Sequence, residues 1–110
     1  MYLTSITLPD SVIWIDNGAF AGDTHLAYAT IGSGVYYIGQ AAFRGCGGLS
    51  AITFEGTIPP SIDTGENHGV GNASLGSTSY TFPIYVPSES VEAYKTAFGQ
   101  YYAPRIQAIQ

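Results

Sequence analysis

Four large apolar side chains stand in positions that the local pattern turns outward. Ile13 and Trp14 lie between Val12 and Ile15, and Tyr36 and Tyr37 lie between Val35 and Ile38. The two groups are one repeat apart, so Trp14 aligns with Tyr37 and Ile13 with Tyr36. Aromatic rings held outward on a rigid sheet stack on sugars or anchor a protein partner. Trp14, Tyr36 and Tyr37 are therefore the candidate binding residues. Two plainer readings stay open: the ladder packs beneath a neighbouring segment such as residues 63–79, or it stabilises its own strands by cross-strand contact.

The remaining chemistry is thin. Asp63, Glu66, Asn67 and His68 offer donors of the kind Ca²⁺ takes, but without EF-hand spacing, and such residues are ordinary in a polar loop. Gly69-Val70-Gly71-Asn72-Ala73-Ser74 half-resembles a glycine-rich phosphate loop; it lacks the third glycine, the following helix and a lysine. His25 falls at a repeat boundary as a turn residue. No serine or cysteine lies in a nucleophile motif such as G-x-S-x-G. Cys46 is the only cysteine, so it builds neither an intramolecular disulfide nor a cysteine metal cluster. Its repeat position predicts a small buried side chain. No catalytic residue, metal ligand or cofactor is assigned, and the chain is not expected to be an enzyme.

Composition narrows the partners. Only 10% of the 110 residues are charged, against roughly 25% in an average soluble domain. Glycine, serine, threonine and tyrosine take their place, which suits extended structure better than helices laced with ion pairs. Net charge is −5, and the basic residues are Arg44, Lys95 and Arg105 alone. They are too few and too scattered to neutralise a run of phosphates, which argues against nucleic acid and against an anionic membrane surface. No apolar run approaches the ~20 residues of a membrane-spanning helix, and Met1-Tyr2-Leu3-Thr4 has neither the basic nor the apolar region of a signal peptide.

The elements that would hold the rings come from an internal repeat. Residues 3–25, LTSITLPDSVIWIDNGAFAGDTH, align without a gap on residues 26–48, LAYATIGSGVYYIGQAAFRGCGG. Leu3 falls on Leu26, Thr7 on Thr30, Val12 on Val35, Ile15 on Ile38, Ala19-Phe20 on Ala42-Phe43 and Gly22 on Gly45. Residues 49–62 continue with Leu49, Ile52, Thr53, Phe54 and Ile58, and then the pattern decays. Ile6 and Leu8 alternate with Ser5 and Thr7, the mark of a half-buried strand. Val12-x-x-Ile15 predicts a second extended segment, entered through the turn residues Pro9-Asp10-Ser11. Gly22 and Gly45 let the chain turn toward the next strand. Thr7, Thr30 and Thr53 form an outward ladder, ordinary for a solvent-facing strand. One unit cannot bury its apolar face; stacked strands about 4.8 Å apart make one continuous core.

The opening L-x-x-L-x-L matches the leucine-rich-repeat consensus. The usual Asn or Cys after the third Leu is absent, with Ser11 and Gly34 in its place. LTSITLPDSV-x-x-I…AF-x-G and AFRGCGGLSAITF resemble the BspA-type leucine-rich repeats of bacterial surface proteins, strongly over residues 3–54. The stretch IYVPSESVEAYKTAF…RIQAI is similar to the cap that ends many such arrays. Asp23 departs from the family cysteine that Cys46 matches, and Ala29 from the family's large apolar residue. The resemblance implies a repeat solenoid, mostly β with one C-terminal capping helix, and a bacterial surface or secreted protein that contacts a protein or glycan of a host or another bacterium. It leaves a purely structural role, the terminal cap or spacer of a longer array, as the alternative.

The rest of the chain predicts that closure. Pro59-Pro60 blocks sheet hydrogen bonding, and residues 63–79 read as loop. Residues 80–110 predict strand, helix and strand: Phe82–Val86, a helix over 88–98 with Ser88 as N-cap and Val91, Tyr94 and Phe98 on its apolar face, and a last strand over Arg105–Ile109. Gly99 is a natural helix stop. All 110 residues form one domain. Leu3 begins a strand almost at once, with no polar cap before it. The expectation is a piece of a longer array, or an end that meets another molecule, including self-association.

Overall fold

The computed structural model describes residues 5–64, 73–76 and 81–109. The expected strand start at Leu3, and Glu66, Asn67, His68, Gly69, Val70, Gly71 and Asn72, lie outside them. The alternating segments form strands in chain order: β1 Ser5–Leu8, β2 Trp14–Ile15, β3 Tyr28–Ile31, β4 Tyr37–Ile38, β5 Ala51–Phe54, β6 Ile84–Val86 and β7 Ile106–Ala108. Five of them make one parallel sheet in the order β1-β3-β5-β6-β7, and β2 pairs with β4 in a second, short parallel sheet.

The register is the repeat. Ser5 pairs with Tyr28 and Tyr28 with Ala51; Trp14 pairs with Tyr37. Each step is 23 residues. Inward columns result, with Ile6, Ala29 and Ile52 in one and Leu8, Ile31 and Phe54 in the next. Ala29, Ile31, Ile52 and Phe54 are buried, so alanine at position 29 is accommodated between its two isoleucine neighbours. Phe20 and Phe43 stack with centroids 5.2 Å apart and planes 17° from parallel. Beside them, the amides of Gly18, Phe20 and Gly22 donate to the carbonyls of Gln40, Ala42 and Arg44 at 2.9, 2.8 and 2.7 Å. Gly22 and Gly45 take φ of 79° and 75°, as turns there require.

Val12 is not part of an extended strand. Its amide donates to the carbonyl of Pro9 at 3.0 Å, so the turn reaches further than the spacing suggests and β2 keeps two residues.

The third repeat is extended rather than lost. Ile52 pairs with Ile84, a spacing of 32 where the first two repeats use 23, so nine residues have been added. Pro59-Pro60 does not stop the pairing. Ser61 forms a parallel bridge with Tyr37, its amide donating to the Tyr36 carbonyl at 2.9 Å while its carbonyl accepts from Ile38 at 2.9 Å. The prolines precede the residue whose N–H is needed, so nothing is lost. Ala73, Ser74 and Leu75, expected in a loop, are buried. The Phe43 amide donates to the Ser74 carbonyl at 3.1 Å, as Phe20 does to Ala42; Ser74-Leu75 thus takes the place of Ala42-Phe43.

The C-terminal closure follows. A 3-10 turn at Ser88–Ser90 leads into α1, Val91–Phe98. The N-cap is Ser90, not Ser88, and no side chain caps it; the Ser90 hydroxyl donates instead to the Thr57 carbonyl at 2.8 Å. Tyr94 and Phe98 are buried, Val91 packs beside them, and Gly99 ends the helix at φ 82°. Phe98 lies 5.3 Å from Phe54 and 5.2 Å from Tyr94. Tyr94 Oη donates to the Gly56 carbonyl at 2.7 Å and Tyr102 Oη to the Gly76 carbonyl at 2.9 Å. Burial pushes both phenols up to about 12. Arg105 does not open a strand. It ends a second 3-10 turn, Ala103–Arg105, and β7 starts one residue later.

Backbone strain sits at Ala41. Ala41 takes φ 56°, 23 residues after Gly18 at 65°, so both repeats need a left-handed residue there and only the first has glycine. A Cβ in that conformation costs on the order of 1 kcal/mol. Ala41→Gly should raise stability by about 1 kcal/mol, read as a higher urea midpoint with an unchanged slope.

Candidate functional site

Trp14, Tyr36 and Tyr37 come together on the second sheet. Trp14 and Tyr37 are register partners, with ring centroids 4.5 Å apart and planes 43° from parallel. Tyr36 meets Trp14 nearly edge-on, at 5.8 Å and 78°. Trp14 is 50% exposed and Tyr36 55%, with Ile13 beside them equally open, while Tyr37 is half-buried. Ile15 and Ile38, next along the two strands, are buried; they anchor the strands and leave the rings outside.

Side chains one repeat apart hold this platform. Asp10 Oδ1 accepts from the Ser33 amide at 2.9 Å, and Asn17 Oδ1 accepts from the Gln40 amide at 2.9 Å. One bond precedes the aromatic strands and the other follows them, so both ends of the β2–β4 pair are pinned in register. The turn is tight at Gly39: a Cβ there would run into the Asn17 amide and Oδ1. Asp16 also reaches back, its Oδ1 accepting from Trp14 Nε1 at 3.3 Å, which places a carboxylate at the edge of the indole.

The other candidates scatter. Asp63 is half-buried, its amide donating to Ser74 Oγ at 2.7 Å. Its expected companions Glu66, Asn67 and His68 lie outside the described residues. Among the described residues, no group of three or more His, Cys, Asp or Glu side chains is placed to hold a metal ion. His25 is exposed, with Nδ1 3.4 Å from the Thr24 hydroxyl. Cys46 is fully buried, its thiol donating to the Phe20 carbonyl at 3.1 Å, and burial pushes it above the usual thiol range. No described helix is long and apolar enough to cross a membrane.

Several surface residues escaped the sequence reading. Tyr28 is 57% exposed on the outer face of the five-stranded sheet, in register with Ser5 and Ala51; the alternation that turned Thr30 outward also turned Tyr28. The ladder Thr7, Thr30, Thr53 runs on into Tyr85 and Gln107, a continuation hidden by the change of spacing after β5. The roles of Asp10 and Asn17 follow the same offset, because each side-chain oxygen meets the backbone N–H 23 residues on, at Ser33 and Gln40.

Two measurements follow. Asp10→Ala and Asn17→Ala each remove one acceptor and should each cost about 1 kcal/mol by chemical denaturation. A buried thiol of raised pKa is a poor nucleophile. A thiol-specific disulfide reagent should therefore label Cys46 far more slowly in the native protein than in denaturant, where the thiol reacts at once.

A family model described as BspA type leucine rich repeat region (6 copies) matches residues 1–68. The match spans β1 to β5 and ends before β6. No curated protein matches the chain.

Proposed function

The chain belongs to the BspA-type leucine-rich-repeat family, and from that premise we propose that it is a non-catalytic binding or adhesion module of a bacterial surface or secreted protein. In this reading the repeats wind as a solenoid and contact a protein or glycan through an exposed sheet face. The observation that carries the proposal is the outward cluster of Trp14, Tyr36 and Tyr37 on a rigid pair of strands. Such rings give large contact area at small conformational cost, and function on a repeat scaffold sits on its surface. A second reading, the terminal cap or spacer of a longer array, is favoured by the aromatic closure around Tyr94, Phe98 and Tyr102.

The test is a screen of the protein against bacterial cells, extracellular-matrix proteins and a glycan array. Replacing Trp14, Tyr36 and Tyr37 together by serine should abolish the binding found, with the circular dichroism of the fold retained. Unchanged binding to every ligand would remove the aromatic surface from the account and favour the structural role.

A further inference from the structure

Resting on the reading of the aromatic cluster as a binding surface, we propose that its partner is a protein segment rich in lysine or arginine, with a cationic side chain seated at the corner of Trp14 and Tyr36 and against the Asp16 carboxylate. Three observations carry this. The rings do not make a flat platform: Tyr36 stands 78° from Trp14 and Tyr37 is tilted by 43°. A sugar ring wants one broad face to lie on. A cation needs only to lie over one ring face within about 6 Å of its centroid, so it can seat on one ring beside the other without a flat platform.

Next, Asp16 sets a negative charge at the edge of the indole, 3.3 Å from Nε1, and is exposed. A second exposed carboxylate, Asp10, stands at the entry turn, where one oxygen is held by the Ser33 amide. Finally, the chain carries a net charge of −5. Its basic residues lie off the ring-bearing strands: Arg44 follows the Ala42-Phe43 pair, and Lys95 and Arg105 belong to the C-terminal closure. The two carboxylates the structure places beside the ring-bearing strands, Asp10 and Asp16, are both negative, which favours a basic segment over sulfated or sialylated glycans.

Trp14 is the only tryptophan, so its emission reports the site directly. The probes are a short oligoarginine peptide and, in parallel, a neutral malto-oligosaccharide. The expected result is a saturable change in emission with the peptide, weakening as salt is raised. Asp16→Asn keeps an acceptor for Trp14 and removes the charge; it should weaken the peptide about threefold. Tyr36→Ser removes one ring and should weaken it about fivefold. Asp16→Asn is isosteric and exposed, so it answers the question even if Tyr36→Ser disturbs the strand.

A peptide that leaves the emission unchanged would overturn the proposal, as would binding indifferent to salt and to both variants. A neutral sugar that shifts the emission where the peptide does not would overturn the cationic partner alone. Binding by the aromatic surface would then stand, provided the triple serine variant loses the sugar.

Discussion

A strand of four residues has too few contacts to be stable by itself, and every strand in the five-stranded sheet is that short or shorter. What stabilises them is stacking in register. Ile6, Ala29 and Ile52 meet because Ser5, Tyr28 and Ala51 are paired, and the same step aligns Trp14 with Tyr37 and Phe20 with Phe43. A slip of one residue would exchange inward and outward faces along every rung. Register is therefore defended at several points around each repeat: by the Asp10 and Asn17 bonds, and by the amide-to-carbonyl ladder from Gly18 to Gly22. The ring cluster inherits its geometry from that defence.

The closure shows what happens when the step changes. Between β5 and β6 it lengthens to 32, and between β6 and β7 it is 22, from Ile84 to Ile106. The sheet stays parallel throughout, because pairing needs only strand ends delivered to the right height. The interior is filled differently there. Phe54, Tyr94, Phe98 and Tyr102 meet at angles between 47° and 84°, in place of the near-parallel Phe20–Phe43 stack. Arg105 is the most expensive member. Its guanidinium lies 4.4 Å from the Phe82 ring centroid, and Nε donates to the Phe82 carbonyl at 3.1 Å. Its two terminal nitrogens are buried and have no hydrogen-bond partner among the described residues, and burial lowers its pKa. Contact with the faces of Phe82 and Tyr102 offsets part of that cost.

Much of this was legible in the residues. The offset of 23 predicted the partners in the first three strands of the large sheet and in β2–β4, and the spacing of Val91, Tyr94 and Phe98 predicted the buried face of α1. What escaped shares one cause. Inserted residues remove the periodic signal from the sequence without removing the rung from space, so Ser61 fell in the decaying end of the pattern behind Pro59-Pro60, and Ser74-Leu75 in the expected loop, although both complete the third repeat. Ser88 and Ser90 are chemically alike, and only the tertiary contact of Ser90 with Thr57 separates them. Arg105 read as the opening residue of the last strand because nothing local shows the rings of Phe82 and Tyr102 lying against it. At the ring cluster, types and offset placed Trp14 beside Tyr37, but the third rung at Ser61, which pairs with Tyr37, lies outside the 23-residue offset.

The outward faces of the two sheets allow a comparison within one molecule. On the large sheet one outward column is Thr7, Thr30 and Thr53, beside which Tyr28 stands exposed between Ser5 and Ala51; cross-strand threonine pairs add a few tenths of a kcal/mol each. Stability alone would be served as well by the same choice on the small sheet. There the outward positions hold Ile13, Trp14 and Tyr36, each with half or more of its surface in solvent. An aromatic pair contributes about 1 kcal/mol beyond its buried area, yet leaving that much apolar surface wet forgoes the larger gain that full burial would bring. The Trp14–Tyr37 contact helps the strands; it does not account for the exposure of Trp14 and Tyr36. In the binding reading proposed above, a partner would cover the surface that folding leaves wet and bury it on association.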